Sequence, residues 1–314
     1  MYFGLPDDAL ALREGLRDLL STACTPATIR AAWDGDPCDQ LWKDLGAFGV
    51  PGLLVPEEDG GLGLDELSFV AALEECGYAG VPGPLVETLI SLPLAPLPMD
   101  GSARVTVAAA SGATPYAGVS THVLDPTGSL YELTGCTPVE TVDRTRRLAV
   151  FEGEPLDLPI APGAMTRFEQ RGALGTAAFL LGLARRQLDL TVGYVKTRQQ
   201  FGVAIGSFQA IKHPLAEAVV GTEFSWPTVL RAAQSLIDDD EQADVHVSAA
   251  KALASDAAYR MSRVCLQAHG AMGYTVEYDL HLFAKRTWAL AKDWGTAAEH
   301  RELVAEHLGI RRME

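Results

Sequence analysis

Residues 182–206 read GLARRQLDLTVGYVKTRQQFGVAIG. Leu174, Leu181, Leu188, Val192 and Val195 recur at helical spacing through this stretch and just ahead of it, which predicts one long helix with a buried side. The helix runs into an Arg-x-x-Phe-Gly corner. Arg198 and Phe201, three apart on one face, offer a guanidinium suited to a phosphate and a ring suited to a heterocycle, and Gly202 lets the backbone turn. Such a pair at a helix end is more often a solvated charge beside a core plug, so the corner by itself settles nothing.

The chain has 314 residues, 48% of them hydrophobic, enough for a large core in one to three domains. A formal charge of −16 argues against nucleic acid or an anionic membrane as the main partner, because a phosphate-rich surface repels an acidic protein. Any phosphate ligand must be met by local positive charge. Cys24, Cys38, Cys76, Cys136 and Cys265 are odd in number and scattered, with no Cys-x-x-Cys pair, so neither a disulfide frame nor a metal site is indicated. The opening MYFGLPDDALAL has no basic leader before an apolar run, and no window holds the roughly eighteen apolar residues of a membrane span. The expectation is an intracellular protein of the reducing cytoplasm.

Working outward, residues 7 to 98 read as helical. DDALALREGLRDLL opens with acids in its first turn, and CDQLWKDLGAFGV and LDELSFVAALEECGYAG carry apolar residues at i, i+3 and i+4. The Gly- and Pro-rich run from Val50 to Leu64 bends the chain, either beside a ligand or as a plain interhelical turn. From Asp100 to Pro162 the texture changes to short runs such as ARVTVAAA, THVLD, SLYELTG and RRLAVFEG between turn signals, room for about six short strands. After Met165 four amphipathic segments, about 165–200, 207–238, 243–271 and 278–308, predict a helical bundle. Pro214 should end or kink a helical turn in the second, and IDDDEQAD at 237–244 reads as a solvated loop. The fold class is mainly α with a small β module, divided as 1–99 (N-terminal helical), 100–162 (reduced middle β) and 163–314 (C-terminal four-helix bundle).

The order of these parts resembles the acyl-CoA dehydrogenase fold, and two strings in the bundle carry the likeness. TRQQFGVAIGSFQAIKHPLAE resembles the family's R-x-x-FG-x-x-I-x-x-FQ signature through Arg198, Phe201, Gly202, Ile205, Phe208 and Gln209. CLQAHGAMGYTVEY resembles Q-x-x-GG-x-G-x-x-x-E-Y through Gln267, Gly270, Gly273, Glu277 and Tyr278, and VPEEDGGLGL resembles a third signature in the N-terminal domain. The resemblance implies a flavoenzyme of lipid β-oxidation that removes two hydrogens across the α,β bond of a CoA thioester. A Glu takes the α-proton within hydrogen-bond reach, and FAD takes the β-hydrogen.

The sequence departs from that pattern at the chemistry. The commonest base position lies seventeen residues beyond the Glu of the Glu-Tyr pair, which here is Trp294, followed by Gly295 and Thr296. The second known position, on the first bundle helix, is here Gly172. Neither side chain accepts a proton. Glu169 is one short turn away, a shift of roughly 5 Å that is too far for a proton transfer unless the helix starts differently, and is a fallback beside a residue the sequence does not place. The family's own-subunit flavin strings are not found between Asp100 and Pro162. Lys285 and Arg286 stand where the family usually has Arg-Asp. His213 and His269, each beside a Pro or a Gly, read as structural rather than catalytic.

What is kept is the half that, in the family, reaches the adenine and pyrophosphate of FAD held by a neighbouring subunit: Arg198, Phe201, Gln209, Gln267 and Gly270, with Ala271 where a second Gly is usual. A helix start near Ser207 would aim amides at the anion, with the hydroxyl as cap. The resemblance thus implies a base-deficient subunit that shares FAD across an interface with a full-length partner in an α2β2 hetero-oligomer, like the short subunits of actinobacterial dehydrogenases acting on steroid side-chain CoA thioesters. A homo-oligomer with an unconventional base or oxygen chemistry, and a flavin-free structural subunit, stay open.

Overall fold

The computed structural model describes residues 4–109, 112–156, 160 and 163–310. The leader reading of residues 1–3, the Ala110 end of the first predicted strand run with Ser111 of the turn after it, and the expected boundary at Pro162 lie outside them. The described residues pack as two compact units, one from those within 8–72 and 81–172, the other from residues 4–7, 73–80 and 173–310.

In the first unit α1 (Asp7–Ala23), α2 (Pro26–Asp34) and α3 (Asp39–Phe48) follow one another, and α4 (Glu66–Ala79) begins. Local chemistry sets the ends of α2: Thr25 and Thr28 form a reciprocal capping box, Pro26 opens the helix, and Gly35 at φ 118° closes it. The Val50–Leu64 run folds on itself, with the amides of Leu62, Gly63 and Leu64 donating to the carbonyls of Gly52, Val55 and Leu53. It is a self-packed turn. α5 (Leu85–Ser91) leads to a sheet of β1 (Val105–Val107), β2 (His122–Leu124), β3 (Leu130–Pro138) and β4 (Ala149–Leu156), in that spatial order. The first pair is parallel and the others antiparallel, with a bulge between Leu133 and Gly135. The described residues of the module thus form four strands, on the four runs quoted above, where the composition allowed about six.

The second unit is built on α6 (Ala164–Thr197), most of which lies in it. An added Cβ at Gly77 would lie 2.1 Å from the carbonyl oxygen of Phe179, and one at Gly182 only 2.0 Å from that of Glu74. α4 and α6 therefore meet backbone to backbone, which only glycine allows. Arg185 fixes the same contact, reaching Glu74 at 2.9 Å and Glu75 at 2.8 Å, both carboxylates being buried.

After α6 a small hairpin of β5 (Gln199–Gln200) and β6 (Val203–Ala204) leads to α7 (Gln209–Ile237), α8 (Ala243–His269), α9 (Leu280–Leu290) and α10 (Ala297–His307). Three expectations are corrected here. α7 runs unbroken through Pro214 and Pro227, because each proline removes one amide donor while the packing against α8 holds the rest. The fourth segment is two helices: Trp294 and Gly295 take φ of 57° and 94°, and a Thr296–Glu299 capping box starts α10 afresh. Ser207 does not cap α7, since its hydroxyl donates to the Ala204 carbonyl and the helix begins only after Phe208. Among the described residues no helix is long and apolar enough to cross a membrane.

Candidate functional site

The residues of the first signature sit where α6 ends and α7 begins. α6 stops at Thr197, so Arg198 and Phe201 do not share a helix face as the spacing predicts. The Arg198 carbonyl accepts from the Ile205 amide, and the strands turn at Phe201–Gly202, φ 53° and 81°. Two consecutive positive φ values make the tight hairpin turn whose twist matches its strands. Gly202 adopts that conformation freely. Phe201 is held in it at a cost of about 1–2 kcal/mol, and its ring is 93% exposed, with an edge-on contact to Phe208 at 6.2 Å between centroids. A ring so exposed is the opposite of a core plug.

The second signature lies at the same end of the helix pair. α7 and α8 pack antiparallel: Arg260 pairs with Glu217 at 2.6 Å, and a Cβ on Gly221 would touch that of Ala257. Carried along the register, Gln209 at the start of α7 lies opposite the end of α8. There the chain turns at Gly270, φ 57° and ψ −134°, a conformation essentially reserved for glycine, and an added Cβ would meet nothing within 4 Å. The backbone at Gly270 thus faces open space. Arg198, Gln209, Gln267, Gly270 and Ala271 are all exposed, and the side chains of Arg198, Gln209 and Gln267 find no hydrogen-bond or ion-pair partner among the described residues. The structure therefore gathers a guanidinium, two amides, an aromatic ring and an uncluttered glycine turn at one end of the bundle. Such a donor set fits the adenine and phosphates of a dinucleotide.

An aromatic stack that the sequence did not reveal holds this end together. Tyr194, one turn before Arg198, stacks on His269 with centroids 4.3 Å apart, and Tyr278 closes on His269 at 4.8 Å and on Tyr194 at 5.7 Å. The Tyr278 hydroxyl donates to the Leu190 carbonyl at 3.1 Å. His269 is buried, and its Nδ1 donates to the Cys265 carbonyl at 2.8 Å, so the neutral ring carries its proton there. Burial pushes its pKa below the ordinary value, which keeps the ring uncharged. This is the structural role expected of His269. The spacing of Tyr194 to Arg198 was the available signal, but a tyrosine on a helix gives no sign of its partners.

The positions at which the resemblance places a base lie on α6 and in the turn after α9. Gly172 is buried within α6 and Glu169 is exposed on it. Trp294 stands in the turn between α9 and α10, half-buried, with its carbonyl accepting from His300 Nε2 at 2.8 Å. His213 is exposed on the first turns of α7. Arg286 is buried and Lys285 partly so, both engaged with neighbours.

Comparison with known proteins identifies the family. Residues 6–104 match the N-terminal domain, and residues 163–309 the C-terminal domain, of the acyl-CoA dehydrogenase family models. The chain is 33% identical to the acyl-CoA dehydrogenase IpdE2 of Mycobacterium tuberculosis, over 91% of this chain and 93% of that protein. Among solved structures it superposes on a chain of the ChsE4–ChsE5 complex from M. tuberculosis with a TM-score of 0.84, at 21% identity, covering 99% of this chain and 100% of that one. It superposes likewise on a chain of a Tcur3481–Tcur3483 steroid acyl-CoA dehydrogenase variant at 0.83 and 23% identity, covering 98% and 99%. With a full-length relative at this identity and both terminal domains matched, the chain belongs to the acyl-CoA dehydrogenase family.

Proposed function

We propose that this member of an FAD-dependent oxidoreductase family is the base-deficient subunit of a two-subunit enzyme, completing an FAD site whose ring contacts, Glu base and acyl pocket lie on a longer partner. The observation that carries the reading is an asymmetry. Arg198, Gln209 and Gln267 stand exposed without partners among the described residues, while the two positions at which the resemblance places a base hold Trp294 and Gly172. Exposed donors that no neighbouring side chain engages are available to a ligand.

In this reading Arg198 meets the pyrophosphate as a planar fork of donors, Phe201 covers the adenine, Gln209 and Gln267 hydrogen-bond polar edges, and Gly270, with Ala271 beyond it, lets the backbone approach closely. Bound FAD supplies the hydride acceptor for α,β-dehydrogenation of a CoA thioester. This chain's own residues bind and orient; they move no proton. An α2β2 assembly in the cytoplasm, and steroid side-chain thioesters as substrates, belong to the same proposal. The complexes named among its structural neighbours support it. The division at residues 99 and 162 is kept as a functional one, with the grip in the last part.

The test is purification with and without a longer homologue carrying the Glu. The lone chain should hold little FAD and turn over no thioester with a dye acceptor, whereas co-expression should yield a yellow, active complex. Robust turnover by the lone chain would reject the proposal.

A further inference from the structure

The cofactor reading leaves unused the most deeply buried cation of the second unit. Lys251, near the start of α8, is 0% exposed, and its Nζ donates to Ser255 Oγ at 3.1 Å, the Gly295 carbonyl at 3.0 Å and the Ala291 carbonyl at 3.4 Å. An ammonium has three N–H bonds, and three oxygens are offered. None of the three is charged. Ala291 closes α9 and Gly295 immediately precedes the cap of α10, so both carbonyls belong to the turn that breaks the last helical segment in two.

The carbonyl between them is held as well. His300, buried on α10, donates from Nε2 to the Trp294 carbonyl at 2.8 Å, while its Nδ1 lies 3.2 Å from Ser248 Oγ, whose hydroxyl donates to it in the neutral tautomer. Burial lowers the pKa of His300 and favours the neutral ring, whose tautomer the Trp294 carbonyl then selects. A Cβ on Gly295 would come within 2.8 Å of His300 Nε2, so the imidazole fits only against a bare glycine. Three carbonyls in five residues are thus fixed from outside the turn by side chains of α8 and α10. Between them Trp294 keeps a left-handed backbone that a bulky residue adopts only when its surroundings impose it.

A buried lysine is an expensive way to fill space, since a methionine occupies a similar shape without desolvating a charge. What lysine alone supplies is donors for two carbonyls that no helical amide reaches. We propose that Lys251 is a positioning residue which, with His300, sets the Ala291–Thr296 turn so that the side chain at 294 is presented in one fixed orientation. The turn's meaning rests on the reading of Trp294 as the family's base position. The lock itself rests on the distances above. In that reading, the turn that would carry a proton acceptor is held firmly in this chain, with an indole standing in the acceptor's place.

The experiment uses the lone full-length chain, so its outcome is independent of whether a partner is found. Lys251→Met keeps the shape and removes the donors. Backbone amides of residues 291–300 should then exchange with deuterium at least tenfold faster, with those of α7 unchanged. The emission of Trp294, taken as the difference between each protein and its Trp294→Phe counterpart, should shift to longer wavelength. In Lys251→Ala, n-propylammonium chloride should restore protection of the turn, while tetramethylammonium chloride at equal ionic strength should not. Should Lys251→Met fail to fold, Lys251→Gln, which keeps an N–H donor pair, should show intermediate protection confined to the same residues. Exchange at 291–300 within twofold of the wild type in a folded variant, or equal loss across α7, would overturn the proposal.

Discussion

Phe201→Asn separates the two roles a phenylalanine can play at the α6–α7 corner. The native φ of 53° at Phe201 costs about 1–2 kcal/mol, and asparagine relieves much of that because it visits the left-handed region readily. Asn-Gly is also the preferred pair for this turn. The ring is 93% exposed, so truncation forfeits little burial, and the edge-on contact with Phe208 is worth at most about 0.5–1 kcal/mol. The lone chain should therefore gain between about 0 and 1 kcal/mol in urea unfolding. In the complex the sign reverses. Stacking of a base on an aromatic ring is worth about 1–3 kcal/mol, so FAD should bind roughly 5- to 150-fold more weakly. The assay pairs denaturation of the lone chain with FAD titration of the apo-complex. A loss of more than about 1 kcal/mol in the lone chain would show that the ring is packing after all. Unchanged FAD affinity would show that it touches no nucleotide.

Four further outcomes are expected. Arg198→Ala should leave lone-chain stability within about 0.5 kcal/mol while weakening FAD in the complex roughly 10- to 150-fold, the range for a lost charged hydrogen bond, measured by flavin titration. Glu169→Gln, altering an exposed carboxylate on α6, should change complex turnover by less than about twofold in a dye-coupled assay. Gly182→Ala should destabilise by at least about 2–3 kcal/mol in urea unfolding, because the new Cβ falls 2.0 Å from the Glu74 carbonyl and overpacking exceeds the gain in helix propensity. Burial lowers the pKa of Lys251 to about 8 from 10.5 despite the opposing pull of Asp293 and Glu299. Between those pH values the unfolded chain binds the extra proton, so this group adds stability as pH rises, by about 3 kcal/mol in all, and none below 8. The wild-type minus Lys251→Met difference in unfolding free energy, followed from pH 7.5 to 10.5, should climb accordingly; a flat difference would refute the shift.

Long periodic segments were legible and short or interrupted ones were not. α1 and α4, seventeen and fourteen residues long, carry enough turns for their apolar spacing to show, whereas α5, at seven residues, does not complete two. The four strand runs were readable from Val and Leu between turn residues. The division of the last segment was also written in the chain, as Thr296 followed three residues later by Glu299, but a continuous apolar pattern on both sides hid it. At the corner, spacing placed Arg198 and Phe201 on a helix because it cannot foresee that Phe201 adopts a positive φ. Lys251 in SAAKALAS reads as an ordinary surface lysine; only the fold of α9 and α10 over it turns it inward. Tertiary contact decides such residues, and no local pattern records it.

The glycine crossing of α4 and α6 also acts as a keyway. A screw movement of α6 by one residue, about 1.5 Å along its axis with the accompanying rotation, would bring Leu181 or Leu183 against the Glu74 carbonyl, where there is no room even for a methyl group. The helix therefore has a single axial setting. Arg198 lies sixteen residues farther along, about 24 Å at 1.5 Å per residue, so its reach toward any other molecule is gauged from a point far from where it would be used.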